Sequence, residues 1–188
     1  QQPELGLVHF NIGIAYKHEA RYQEAIDSLT AAIRLGVKNG QAYGIRGLSF
    51  LELGDVDQGM RDLSEGIRLS SSREMYYNRG RAYLELGKYL LAIDDLNHAI
   101  SISSDRQPPR EYGSYFLKRA SAYLNLGEYR NAIEDSDAAN ERDPRLVEAC
   151  VIGAEAQRRL HGHDLSAHGI SPDLHSVVDP SDVPIGYN

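Results

Sequence analysis

The chain has 188 residues, 41% of them hydrophobic, and 20 Lys plus Arg stand against 27 Asp plus Glu for a formal charge of −7. That hydrophobic share excludes wholesale disorder and implies one domain or slightly more, while the acidic balance gives no electrostatic reason to sit on nucleic acid or an anionic membrane. One cysteine, Cys150, excludes an internal disulfide and any CxxC motif, and no apolar run approaches the ~18 residues that a membrane span needs.

The chain opens Gln1-Gln2-Pro3-Glu4 with no initiator Met, as expected of a trimmed or processed chain or of part of a longer one. From there self-similarity takes over. Gly13-Ile14-Ala15-Tyr16, Gly47-Leu48-Ser49-Phe50, Gly80-Arg81-Ala82-Tyr83 and Ala120-Ser121-Ala122-Tyr123 follow one another at steps of 34, 33 and 40 residues. The same steps carry Tyr22 to Val56, Tyr89 and Tyr129, Ala25 to Gly59, Ala92 and Ala132, and Ala32 to Gly66, Ala99 and Ala139. Four units in register define a repeat protein. Their bounds are about 6–39, 40–72, 73–104 and 113–144, within 5–143 overall.

Each unit predicts two helices, because apolar residues recur at three and four, as in Tyr76, Tyr83 and Leu84, then Tyr89, Ala92, Ile93 and Leu96. Gly54, Gly87 and Gly127 sit between the halves and supply the left-handed residue that ends a helix. Unit one has Ala20 there, which predicts a looser turn. Gly59 and Gly66 replace alanine in unit two, at ~1 kcal/mol each in a helix interior, so that unit is expected to be the softest. The extra residues before unit four, 104–110, contain Pro108-Pro109 and read as a loop. A capping helix is expected over 145–160. Residues 161–188 hold Asp164, Asp173, Asp179 and Asp182 with no Lys or Arg, and read as an irregular acidic tail with apolar anchors at Val177-Val178 and Val183-Pro184-Ile185.

The small–x–x–aromatic step, the turn glycine, Tyr22, Tyr89 and Tyr129, the paired small residues and the closing Asp143-Pro144 resemble the tetratricopeptide repeat family. The resemblance implies an all-α, right-handed α-solenoid of four helix–turn–helix repeats with a C-terminal capping helix. It also implies protein–protein binding on the concave face that first helices line.

Arg46, Arg79 and Arg119 each have an aspartate sixteen residues on, at Asp62, Asp95 and Asp135, whereas unit one has Ile12 and Ser28. Arg and Asp that appear and vanish together predict a salt bridge between the two helices of each unit; the alternative is an anion site. First-helix residues not used within a unit are expected to face the groove. Phe10, Asn11, Ile14 and Lys17, then Ile45, Leu48 and Leu51, then Tyr77, Asn78, Arg81 and Leu84, then Leu117 and Lys118 form this candidate site. Its apolar members could instead close onto neighbouring repeats. The fitting ligand is an extended peptide or amphipathic helix with apolar anchors. Family members that hold acidic chaperone tails use a lysine–asparagine–asparagine–lysine–arginine clamp, and the aligned positions here are Phe10, Ile14, Ile45, Glu74 and Asn78. The clamp is missing, which argues against a chaperone-tail partner.

Catalysis finds no foothold, with no GxSxG, Walker, HExxH or dinucleotide glycine motif. Adjacent Asp94 and Asp95 point apart on one helix, and Cys150 is expected to be a buried, inert thiol. His161, His163, His168 and His175, with Asp164, match no rigid metal spacing and read as polar tail residues. No enzyme activity, cofactor, metal, nucleic acid or membrane insertion is expected. The composition leans towards a soluble, cytoplasmic setting without fixing a compartment. The function expected is that of an adaptor capturing a partner segment; the alternatives are a permanent subunit held through the tail, or a regulatory repeat domain of a longer protein.

Overall fold

A computed structural model describes residues 3–102 and 112–167. The proline loop expected at 104–110 and the tail from 168 onward, with His168, His175 and the valine anchors, lie outside the described residues. The described residues form nine helices: α1 (Pro3–His18), α2 (Tyr22–Arg34), α3 (Gly40–Glu52), α4 (Val56–Leu69), α5 (Arg73–Glu85), α6 (Tyr89–Ser101), α7 (Gly113–Leu126), α8 (Tyr129–Arg142) and α9 (Val147–Ala167). Odd-numbered helices through α7 are first helices and even-numbered ones second helices. Each pairs with its unit partner, and each second helix packs on the next first helix. The result is an all-α solenoid.

Helix starts follow from their capping side chains. Asn39, Asp55 and Ser72 each accept a hydrogen bond from the backbone N–H three residues on, at 2.7, 3.1 and 3.3 Å. The turns inside the units share one construction. Gly54, Gly87 and Gly127 take φ of 82°, 68° and 80°, and the residue after each donates to the carbonyl five back. Ala20 does the same at φ 56°, with Arg21 N–H donating to Tyr16 at 2.9 Å. The unit-one turn is therefore not looser than the others; its backbone bonds hold alanine in a conformation that L side chains disfavour.

The glycines of unit two also serve packing. A Cβ on Gly47 would stand 2.9 Å from the Gly59 carbonyl oxygen, and one on Gly66 would stand 2.9 Å from that of Gly40. Alanine has no room, so the loss of helix propensity accompanies a closer approach of α3 and α4. Leu29, Leu63 and Leu96 fill the centres of units one to three and are fully buried.

α9 extends past the expected boundary at 160 to Ala167, so His161 and His163 lie on a helix. Gly153, 33 residues after Ala120, keeps the repeat step and sits against Ser136 of α8. α9 is thus a first helix with no second helix following it among the described residues. That explains Cys150, which is exposed rather than buried, its Sγ 3.7 Å from Asn140 Oδ1.

Candidate functional site

The inner face follows from how the helices approach. Successive first helices α1, α3, α5, α7 and α9 touch one another, whereas successive second helices do so far less. The array therefore bends towards the first helices, and their free sides line its hollow.

The three arginines are oriented by both neighbouring second helices. Arg46 Nε and Nη2 donate to Asp62 at 2.7 and 2.9 Å, while Arg79 and Arg119 make the same pair of bonds to Asp95 and Asp135, all at 2.7 Å. The third nitrogen reaches back one unit, from Arg46 to Thr30 at 3.1 Å, from Arg79 to Ser64 at 3.1 Å and from Arg119 to Asn97 at 2.5 Å. Each guanidinium thus clamps its own unit and ties it to the one before, with all three of its nitrogens bonded inside the fold. The hydrogen bonds that Arg79 donates to Asp95 hold its pKa above the ordinary value. For Arg119 burial pulls downward, and the bonds and charge of Asp135 outweigh it.

The groove set divides. Phe10, 8% exposed, packs with Leu29, Ala32, Val37 and Ala42, and Leu117, 3% exposed, packs with Ala120, Ala139, Ala149 and Ile152. Both are core residues rather than groove residues, because they pack between their unit's own second helix and the first helix that follows. Ile14 leans on the first of those clusters, Leu84 joins the Ala92–Ile93–Ala122 cluster, and Tyr77 packs on Tyr115 with the rings tilted by 33° at 4.4 Å between their centres. Much of the expected apolar strip is therefore packing between repeats. Lys118 pairs with Glu148 of α9 at 3.6 Å. Asn11 and Lys17 lie on α1, with Asn11 exposed.

Five members come together at the step from unit two to unit three. Ile45, Leu48 and Asn78 line a cavity of about 220 Å³ along with Gln41, Gly44, Leu63, Ser72, Glu74 and Met75. Leu48 and Asn78 also line a second hollow of about 160 Å³, shared with Leu51, Glu52, Arg81, Ala82 and Glu85. The first cavity has a simple origin. The repeat column containing Gly44 reads Phe10, Gly44, Tyr77, Leu117, so unit two lacks the large side chain that its sister units carry there. Met75 closes part of the gap, its Cε 3.3 Å from where a Cβ on Gly44 would be. The column was visible in the sequence; that the missing ring leaves a hole required the packing of Leu63 and Met75. The carboxylates Glu52, Glu74 and Glu85 surround these hollows, with Arg81 3.9 Å from Glu85.

Among the described residues no group of three or more His, Cys, Asp or Glu side chains is placed to hold a metal, and no helix is long and apolar enough to cross a membrane.

Stacked helix pairs with an open inner hollow define an α-solenoid repeat protein. Models of the tetratricopeptide repeat match residues 10–72, 74–106 and 113–146, and the chain belongs to the tetratricopeptide repeat family. Solved structures share the fold at low identity. MamA 41-end from Desulfovibrio magneticus RS-1 superposes with a TM-score of 0.73 at 17% identity, over 87% of this chain and 89% of that one. The Arabidopsis OM64 TPR domain gives 0.57 at 22% identity, over 63% and 94%. The first TPR of Spaghetti (RPAP3), solved bound to the HSP90 peptide SRMEEVD, gives 0.59 at 21%, over 67% and 99%. No curated protein sequence matches the chain.

Proposed function

We propose that the chain is a protein-binding adaptor that captures a segment of a partner in its inner groove, anchored at the step between units two and three. The observation that carries this reading is the cavity at Gly44. Its volume of about 220 Å³ is smaller than the pockets that enclose whole small-molecule ligands, and it fits one aromatic or branched aliphatic side chain of a peptide. Asn78, which lines the same cavity, would hydrogen-bond the peptide backbone beside that anchor. Glu52, Glu74 and Glu85 favour a neutral or basic segment over an acidic one. The missing lysine–asparagine clamp agrees with that preference. The peptide-bound RPAP3 repeat supports the general mode, a chain segment held by such repeats, and not this partner.

The test is Gly44→Phe, which restores the ring that unit one carries and fills the cavity from within. Peptides selected on the wild type from a displayed library should lose about 30-fold or more in affinity, as expected when a buried anchor is shut out, while thermal stability is kept. Unchanged affinity in a folded Gly44→Phe protein would refute the anchor.

A further inference from the structure

Unit three departs from its sister units at the start of α6. Leu90 and Leu91 occupy the columns of Gln23-Glu24 in unit one, Asp57-Gln58 in unit two and Arg130-Asn131 in unit four. Every sister unit is polar there, as suits the exposed first turn of a second helix. Leu90 is 69% exposed and Leu91 49%, and Leu86, across the turn, is 41% exposed. A lone surface leucine needs no explanation, but three within six residues form an apolar patch. Unit three has repeats on both sides, so no missing repeat accounts for it.

The last turns of α9 reach the same edge of the array. Leu160 and His163 line a hollow of about 370 Å³ with Gly127, Arg130 and Asn131. α9 therefore passes the unit-four turn, one repeat from Leu90 and Leu91. The sequence that follows, outside the described residues, includes Asp173-Leu174-His175-Ser176-Val177-Val178-Asp179. One repeat step is two helix spacings, or ~20 Å. Leu174 and Val178 stand seven and eleven residues past Ala167, and an extended chain covers ~23–36 Å over those lengths. The span is sufficient.

We propose that Leu86, Leu90 and Leu91 seat this chain's own 173–179 segment, folded back along the turn edge with Leu174, Val177 and Val178 on the leucines. Charge separates this seat from the inner groove. Around the patch, exposed Lys88 and Arg130 balance Asp94 and Glu128. The hollows at Gly44 are rimmed by Glu52, Glu74 and Glu85, with Arg81 the one cation among their lining residues. Asp173 and Asp179, which flank the apolar anchors, are repelled by that rim and not by the edge. Seated on the edge, the segment leaves the Gly44 cavity open to a partner.

The test is paramagnetic broadening of amide signals in the intact chain. A spin label at Ser181→Cys, in a Cys150→Ser background that removes the exposed native thiol, should broaden residues 86–91. Leu90→Gln/Leu91→Glu writes the unit-one pair into unit three. It should lower the docked-to-free ratio about tenfold, as expected when two partly exposed leucines lose their burial. Val177→Ser/Val178→Ser should do the same without touching a described helix, and serves if the first variant does not fold. Gly44→Phe should leave the broadening unchanged, so failure here is distinct from failure of the groove reading. The proposal is overturned if the broadening falls instead on Ile45 and Leu48 in the groove, or on Val147 and Val151 at the far end of α9. Broadening nowhere on the array overturns it too, as when another part of a longer chain or another protein covers the leucines. So does broadening of residues 86–91 that arises only between two copies, seen by mixing spin-labelled with isotope-labelled protein, or that survives both variants.

Discussion

Gly13 of α1 lies so close to Leu29 of α2 that a Cβ added to the glycine would stand 2.6 Å from Leu29 Cγ. Gly80 repeats the relation with Leu96 at 3.0 Å, again sixteen residues apart. In unit four the register sets Ala120 with Ser136, so a methyl is gained on the first helix where the leucine is lost from the second. The small residue and the side chain facing it vary together. Gly13→Ala should therefore destabilise the fold by about 1–3 kcal/mol through overpacking. Combining it with Leu29→Ala should cost less than the sum of the two single changes, as read from urea unfolding.

A second sixteen-residue relation, between Arg79 and Asp95, is electrostatic. The Asp95 side chain is 2% exposed and accepts both its bonds from Arg79. Arg79→Met would leave that carboxylate buried without its partner, a loss of about 3–5 kcal/mol. Arg79→Met/Asp95→Leu, which removes both charges, should recover a substantial part of it. Equal losses in the single and double variants, measured by denaturant unfolding, would show that the two groups do not act as a pair.

Why the sequence showed some of this and not the rest is physical. The repeat step and the arginine–aspartate spacing are one-dimensional regularities, so the helix pairs and their clamps can be read from it. Phe10 and Leu117 are not separable from groove residues in the sequence, because a first helix is apolar both towards its neighbouring helices and towards the hollow, and periodicity cannot say which side a residue takes. The sequence ends α9 too early because His161-Gly162-His163-Asp164 carries no apolar rhythm, although the helix continues through it.

At the unit-one turn propensity and geometry conflict. Ala20 holds φ 56° where the other units use glycine, and the Arg21-to-Tyr16 bond keeps it there. A left-handed alanine is strained by roughly 1–2 kcal/mol, of which glycine's greater freedom in the unfolded chain returns a part. Ala20→Gly should stabilise the protein by about 0.5–1 kcal/mol, seen as a rise of about 2–4 °C in melting temperature. A fall instead would mean that the alanine methyl makes a compensating contact.

Glu155 on α9 makes the pH dependence of the last helix testable. Arg158 donates to it twice at 2.8 Å and Arg159 once at 2.6 Å, and these bonds lower its pKa from the ordinary 4.5 to about 2. A carboxyl whose pKa falls on folding stabilises the folded state above its unfolded value and loses that contribution as pH drops through the folded one. The window here runs from about pH 4.5 down to about 2. In NMR titration the Glu155 side chain should show a midpoint near 2. Over the same window the wild type should lose α9 amide protection that Glu155→Gln, unable to ionise, lacks from the start. The group faces solvent, so molar salt should shrink the difference between the two proteins. A Glu155 midpoint at 4.5 would mean that the two arginines leave the carboxylate free in solution.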